Sequence, residues 1–152
     1  MKIAIASDHA GFKVKELIKP LLDKYNYSYR DFGANSEDSV DYPDYAFNVA
    51  EAVASGSYER GILVCGTGLG MAIAANKVNG IRAVTVHNAF TAEMSRRHND
   101  ANVLCLGARI LQTADIEGIV KLWLATPFEG DRHTRRVDKI GRYEKGCSSK
   151  NT

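Results

Sequence analysis

Residues 65–70 read CGTGLG: a thiol ends an apolar run, and glycines follow at positions 66, 68 and 70. Three readings fit this stretch. The simplest is a glycine turn between a strand and a helix, with Cys65 a small buried core residue, since free cysteines are commonly buried and inert. A dinucleotide-binding turn is a poorer match. The spacing is GxGxG followed by Met71 rather than GxGxxG, and no acid stands at Thr85–Asn88, where a ribose-binding carboxylate belongs. The third reading is catalytic. Gly66, Gly68 and Gly70 let backbone N–H groups approach a ligand, and a helix starting near Leu69 adds the positive end of its dipole. Such a cradle favours an anion and also favours the thiolate of Cys65, with the Thr67 hydroxyl close by. A base beside fixed N–H donors is what proton abstraction α to a carbonyl requires, because the charge that moves to oxygen is stabilised where it develops.

Alternating strand and helix patterns must position these groups. Strands are expected at Lys2–Ser7, Tyr27–Phe32, Arg60–Cys65, Ile81–His87 and Asn102–Leu106. Helices are expected at Phe12–Tyr25, Tyr45–Ser55, Leu69–Lys77, Phe90–Arg97 and Thr113–Ala125, with a C-terminal helix from Arg132. Pro20 inside the first helix predicts a kink or an early end. Asn35–Asp41 is polar and reads as a loop. The pattern predicts a single α/β domain over residues 1–143: a doubly wound, Rossmann-like, five-stranded parallel sheet with helices on both faces. Residues 144–152 are expected to form a disordered tail. Ligands of such sheets sit beyond the carboxyl ends of the strands, which selects Asp8-His9, Cys65–Gly70 and His87-Asn88.

Composition narrows the function further. The chain has 152 residues and a formal net charge of +2, so no global field draws it to nucleic acid or to a membrane surface. No apolar stretch approaches the ~20 residues a bilayer requires; Lys121 interrupts the most apolar late segment. The N-terminal apolar run is too short for a signal peptide. Three cysteines without CxxC spacing suit a reduced, cytoplasmic setting. The histidines show no ligand spacing such as HxxxH, so neither a metal nor another cofactor is expected. Arg132 and Arg136 stand four apart, share a helix face and suit phosphate oxygens.

Several blocks together carry a family resemblance. SDHAG at 7–11, DYPDYA at 41–46, CGTGLGMAIAANK at 65–77, GIRAV at 80–84, RRHNDANVLCLGAR at 96–109 and FEGDRHTRRVDKI at 128–140 resemble ribose-5-phosphate isomerase type B, in order over nearly the whole chain. The resemblance implies interconversion of ribose 5-phosphate and ribulose 5-phosphate through an enediolate, without a metal. It implies Cys65 as the base that takes the C2 proton, since the position where other members carry a carboxylate is Met71 here. Thr67 would polarise or shuttle a proton near the sugar oxygen, while the Gly66, Gly68 and Gly70 amides hold the enediolate. His98 matches the histidine that opens the sugar ring, a task suited to imidazole. Asn99 matches a residue that bonds sugar hydroxyls. Asp8 would contact the ring oxygen or hydroxyls, with an N-cap of the following helix as its structural rival. His9 would contact the phosphate, and Tyr42 would line the site. Arg109, Arg132 and Arg136 would bind phosphate, although Asp131 stands where many relatives carry a second glycine and could pair with Arg132. The resemblance also implies a homodimer or a dimer of dimers with sites at the interface, where His98, Asn99 and Arg109 face Cys65 and Asp8 of the other chain.

Other readings remain open from the residues. The same kit serves six-carbon sugar phosphates such as allose 6-phosphate or galactose 6-phosphate. A binding module with this fold and no turnover is a different class. A redox thiol protein needs a resolving cysteine, for which Cys105 on a strand and Cys147 in the tail are poorly placed.

Overall fold

Strand β3 (Arg60–Cys65) lies at the centre of a five-stranded sheet ordered β2-β1-β3-β5-β4, with every adjacent pair parallel. The other strands are β1 (Lys2–Ser7), β2 (Ser28–Asp31), β4 (Ala83–Thr85) and β5 (Val103–Gly107). The computed structural model describes residues 1–148. Residues 149–152, the end of the expected tail, lie outside the described residues. The helices are α1 (Phe12–Lys24), α2 (Tyr42–Ala54), α3 (Leu69–Ala75), α4 (Ala89–Asn99), α5 (Thr113–Ala125) and α6 (Arg132–Ser148).

Alternation along the buried strands sends side chains to two cores. Ile3, Ile5, Ile62, Val64, Leu104 and Leu106 pack with α1, α4 and α5, where Trp123 is fully buried. Ala4, Ala6, Leu63, Cys65, Val103 and Cys105 pack with α2 and α3. The expected doubly wound sheet, covered on both faces, is therefore present.

Some boundaries differ from the sequence reading, for physical reasons. Helix α1 continues past Pro20 to Lys24. Pro20 is exposed, so its missing donor falls on the solvent side, while Ile18 and Leu22 are fully buried and hold the helix. Helix α2 starts at Tyr42, three residues before the expected Tyr45, because Pro43 occupies its first turn, where no N–H is needed. Strand β4 keeps only three residues, since it is an edge strand paired with β5 alone. Helix α6 runs on through Ser148, so residues 144–148, including Cys147, are helical rather than part of an irregular tail.

Candidate active site

The carboxyl ends of β1, β3 and β5 meet at one rim. Cys65 ends β3, and its Sγ accepts the Gly68 N–H at 3.1 Å. Gly68 holds φ +80°, which aims that N–H back at the sulfur; a side-chain-bearing residue adopts this geometry only with strain. Cys65 is 5% exposed at this rim. Thr67 is exposed above it, and its Oγ1 accepts the Leu69 N–H at 3.4 Å.

The other rim residues cluster around this loop. Asp8 is buried, and its Oδ1 accepts the Gly11 N–H at 2.9 Å, closing the turn that enters α1. The rival structural role is thus met by a turn bond, while Gly11, not Asp8, is the helix cap. The Asp8 N–H donates to the Val64 carbonyl at 3.1 Å, which joins the β1 and β3 loops. His9 Nδ1 accepts the Val40 N–H at 3.3 Å, so its neutral ring carries the proton on Nε2, as a donor. The Tyr42 ring lies over Gly70, where a Cβ would sit 2.8 Å from Cζ.

Arg109 belongs to this rim too. Its guanidinium lies over Gly66, Nη1 being 3.4 Å from where a Cβ would stand, and the Arg109 backbone N–H donates to the Gly66 carbonyl at 2.9 Å. This corrects the grouping of Arg109 with His98 and Asn99: within one chain it stands beside Cys65. The reason is the β5 register, which sets Gly107 opposite Cys65 and carries Arg109 just beyond it.

His98 and Asn99 lie at the opposite rim. Helix α4 runs antiparallel to the sheet and ends where β5 begins, so the two rims are separated by the length of β3, about 17 Å at ~3.3 Å per residue. His98 stacks on His133, with ring centroids 4.2 Å apart and 8° between planes. Glu129 Oε2 lies 3.9 Å from His98 Nε2 and 3.0 Å from Arg97 Nη2. Arg132 and Arg136 project from the start of α6, and Arg132 Nε donates to His133 Nε2 at 3.3 Å. Among the described residues no ion pair joins Arg132 to Asp131. Burial, then the neighbouring His98 and Arg132, lower the pKa of His133.

An arginine framework fixes the end of α4. Arg96 bonds the Asp100 carboxylate at 2.8 Å, and Arg82 bonds it at 2.9 Å. Arg60 donates from Nη1 to the Trp123 and Leu124 carbonyls, each at 2.8 Å. Burial, with Arg96 adjacent, lowers the Arg60 pKa to about 10.

Glu129 and His133 were not singled out by spacing; only the fold brings them to His98. Ligand atoms of His98, Glu129 and His133 lie within 4.8 Å of one another and are the residues that could hold a metal. Arg97 and Arg132 already occupy Glu129 and His133, and this positive surround suits an anion better than a cation. His87, exposed on the α5 side with Asn88 and Asp115, stands apart from the Cys65 loop. Cys105 is fully buried beside Cys65, and burial raises its pKa. The two cysteines are diagonal neighbours on adjacent strands, with Cα atoms ~7–8 Å apart and beyond disulfide reach, so Cys105 does not serve Cys65 as a resolving thiol.

Comparisons with known proteins point to one family. The model of the Ribose/Galactose Isomerase family matches residues 3–140. A putative sugar phosphate isomerase of Bacillus subtilis, YwlF, is 51% identical over 145 residues, covering 95% of this chain and 97% of that protein. The structure of ribose-5-phosphate isomerase B from Clostridium thermocellum superposes with a TM-score of 0.94 at 53% identity, covering 96% of this chain and 99% of that one. That of Mycoplasma genitalium ribose-5-phosphate isomerase B with bound ribulose-5-phosphate gives 0.91 at 46% identity, covering 95% and 96%. With matches of this extent and a common strand–helix frame, the chain belongs to the ribose/galactose isomerase family.

Proposed function

We propose that this chain interconverts ribose 5-phosphate and ribulose 5-phosphate through an enediolate. The observation that carries the reading is the Gly68 N–H on Cys65 Sγ, at the carboxyl rim of the sheet. A sulfur anion held there takes the C2 proton of the open-chain aldose, and the electron pair moves through C1 to the carbonyl oxygen. The Gly66, Gly68 and Gly70 amides stabilise the oxygen that gains charge, and one such donor contributes roughly 3–4 kcal/mol. Returning the proton to C1, with Thr67 moving the hydroxyl proton, gives the ketose. His98 opens the ring by passing a proton between the anomeric hydroxyl and the ring oxygen, and Asn99 and Asp8 bond the sugar hydroxyls. His9, Arg109, Arg132 and Arg136 bind the phosphate, and Tyr42 lines the pocket.

Two copies are needed for this site. His98 and Arg132 lie at the far rim, a strand's length from Cys65 in their own chain, so a second copy must bring them to it. Exposed Leu69 and Ile73 on α3, Phe90 on α4, and Ile140 and Tyr143 on α6 are apolar groups that such a partner would cover. No helix of the described residues is long and apolar enough to cross a membrane. The free thiols of Cys65 and Cys105 suit a reduced, cytoplasmic setting.

The test is kcat/KM on ribose 5-phosphate beside allose 6-phosphate and galactose 6-phosphate, with and without thiol alkylation. Preference for the five-carbon sugar, abolished by alkylation, is expected; preference for a six-carbon sugar reassigns the substrate. Washout of a C2 deuterium label separates an isomerase from a passive binding module, which exchanges nothing.

A further inference from the structure

The N–H directed at the Cys65 sulfur belongs to the Thr67–Gly68 peptide, and residues far along the chain hold that peptide from behind. Its other end, the Thr67 carbonyl, lies against Gly107, where a Cβ would stand 2.7 Å from the oxygen. Gly68 itself packs on the end of β5, 3.1 Å from the Leu106 carbonyl carbon measured from an added Cβ. Thr85, the last residue of β4, then reaches over. Its Oγ1 donates to the Gly68 carbonyl at 3.1 Å, and its methyl group lies 2.9 Å from that same added Cβ.

The Thr85 bond is not needed to satisfy the Gly68 carbonyl. The Ala72 N–H already donates to it at 3.1 Å, as the first bond of α3. What the hydroxyl adds is orientation. A glycine at positive φ has no side chain to fix it, and a small rotation turns its N–H off the sulfur. A donor that bonds the charged form of a group favours that form, so losing its alignment costs thiolate.

We infer that Thr85 is a positioning residue for the isomerisation: it holds Gly68 so that the Gly68 N–H supports the sulfur anion of Cys65. This rests on Cys65 as the base. Thr85 acts through the loop, two strands away from β3.

The test uses Thr85→Val, which keeps the branched shape without the hydroxyl, and Thr85→Ser, which keeps the hydroxyl. Alkylation of Cys65 by iodoacetamide is followed at pH 7 and pH 10 by mass spectrometry of its peptide. The ratio of the two rates cancels changes in access and reports how readily the sulfur ionises. Thr85→Val should lower this ratio by about tenfold and kcat by a similar factor with KM near parental, and Thr85→Ser should restore both to within about twofold. A parental ratio, or a parental kcat, in Thr85→Val overturns the inference. Cys65→Ala is measured separately. If it retains parental kcat, the base assignment falls, and the alkylation ratio still decides whether Thr85 holds the sulfur.

Discussion

His98 and His133 stack face to face, and Arg132 donates to the Nε2 lone pair of His133, an arrangement that requires a neutral ring on His133. Burial, His98, Arg132 and Arg136 all lower the His133 pKa, against Glu129, which raises it. Unfolded, this histidine protonates near its ordinary value of ~6.5. Below that pH the unfolded chain binds more protons, so the stability His133 contributes is present above it and lost as pH falls through the lowered folded value. Urea midpoints should drop on acidification below about pH 6.5, and His133→Gln should flatten that slope. An unchanged slope in the variant would remove His133 as its source.

Replacing Cys65 with Ala should cut kcat by about 10²-fold or more, the usual contribution of a general base, with the circular dichroism spectrum retained. A kcat within a few-fold of the parent would mean that another group takes the proton.

The two rims predict complementation between subunits. Cys65→Ala and His98→Asn should each be inactive alone. Mixed and re-equilibrated, they should recover about a quarter of parental activity, because half the dimers are mixed and each of those has one intact site. No recovery after demonstrated subunit exchange would place both groups in one chain's site.

Chelation should leave kcat unchanged. The His98, Glu129 and His133 cluster is occupied by Arg97 and Arg132, whose charge repels a cation. Loss of activity on dialysis against a chelator, restored by a divalent ion, would contradict this.

Arg60 ties β3 to the end of α5 through the Trp123 and Leu124 carbonyls. Arg60→Ala leaves these acceptors unpaired, at a cost of about 1–3 kcal/mol. Denaturant unfolding should show the loss; a midpoint unchanged from the parent would show that water replaces the guanidinium.

What the sequence reveals is what short-range pattern encodes. The bounds of Arg60–Cys65 and Thr113–Ala125 read from apolar pattern are the observed ones, because β3 is buried from Gly61 to Cys65 and α5 carries a buried stripe from Ile116 to Leu124. Strand β4 was overestimated because apolar residues at 81–87 continue past the three that find a pairing partner. At the site, Cys65 and its glycines are legible because thiol, turn and helix start are contiguous. Thr85, Gly107, Glu129 and His133 are not, since their relevance comes from contacts across the sheet or between helix ends. Arg109 was placed with the wrong neighbours for the same reason: only the β3–β5 register shows that it comes back to Gly66.

The strand order has a bearing on how the molecule is made. Strand β4 is translated before β5, yet β5 is the strand it pairs with, and β3 offers it no ladder. A nascent chain therefore carries β4 as an orphan until Val103–Gly107 has been synthesised and slots between the two. Only then does Thr85 come within reach of Gly68, so the thiol loop gains its last support late in the birth of the protein.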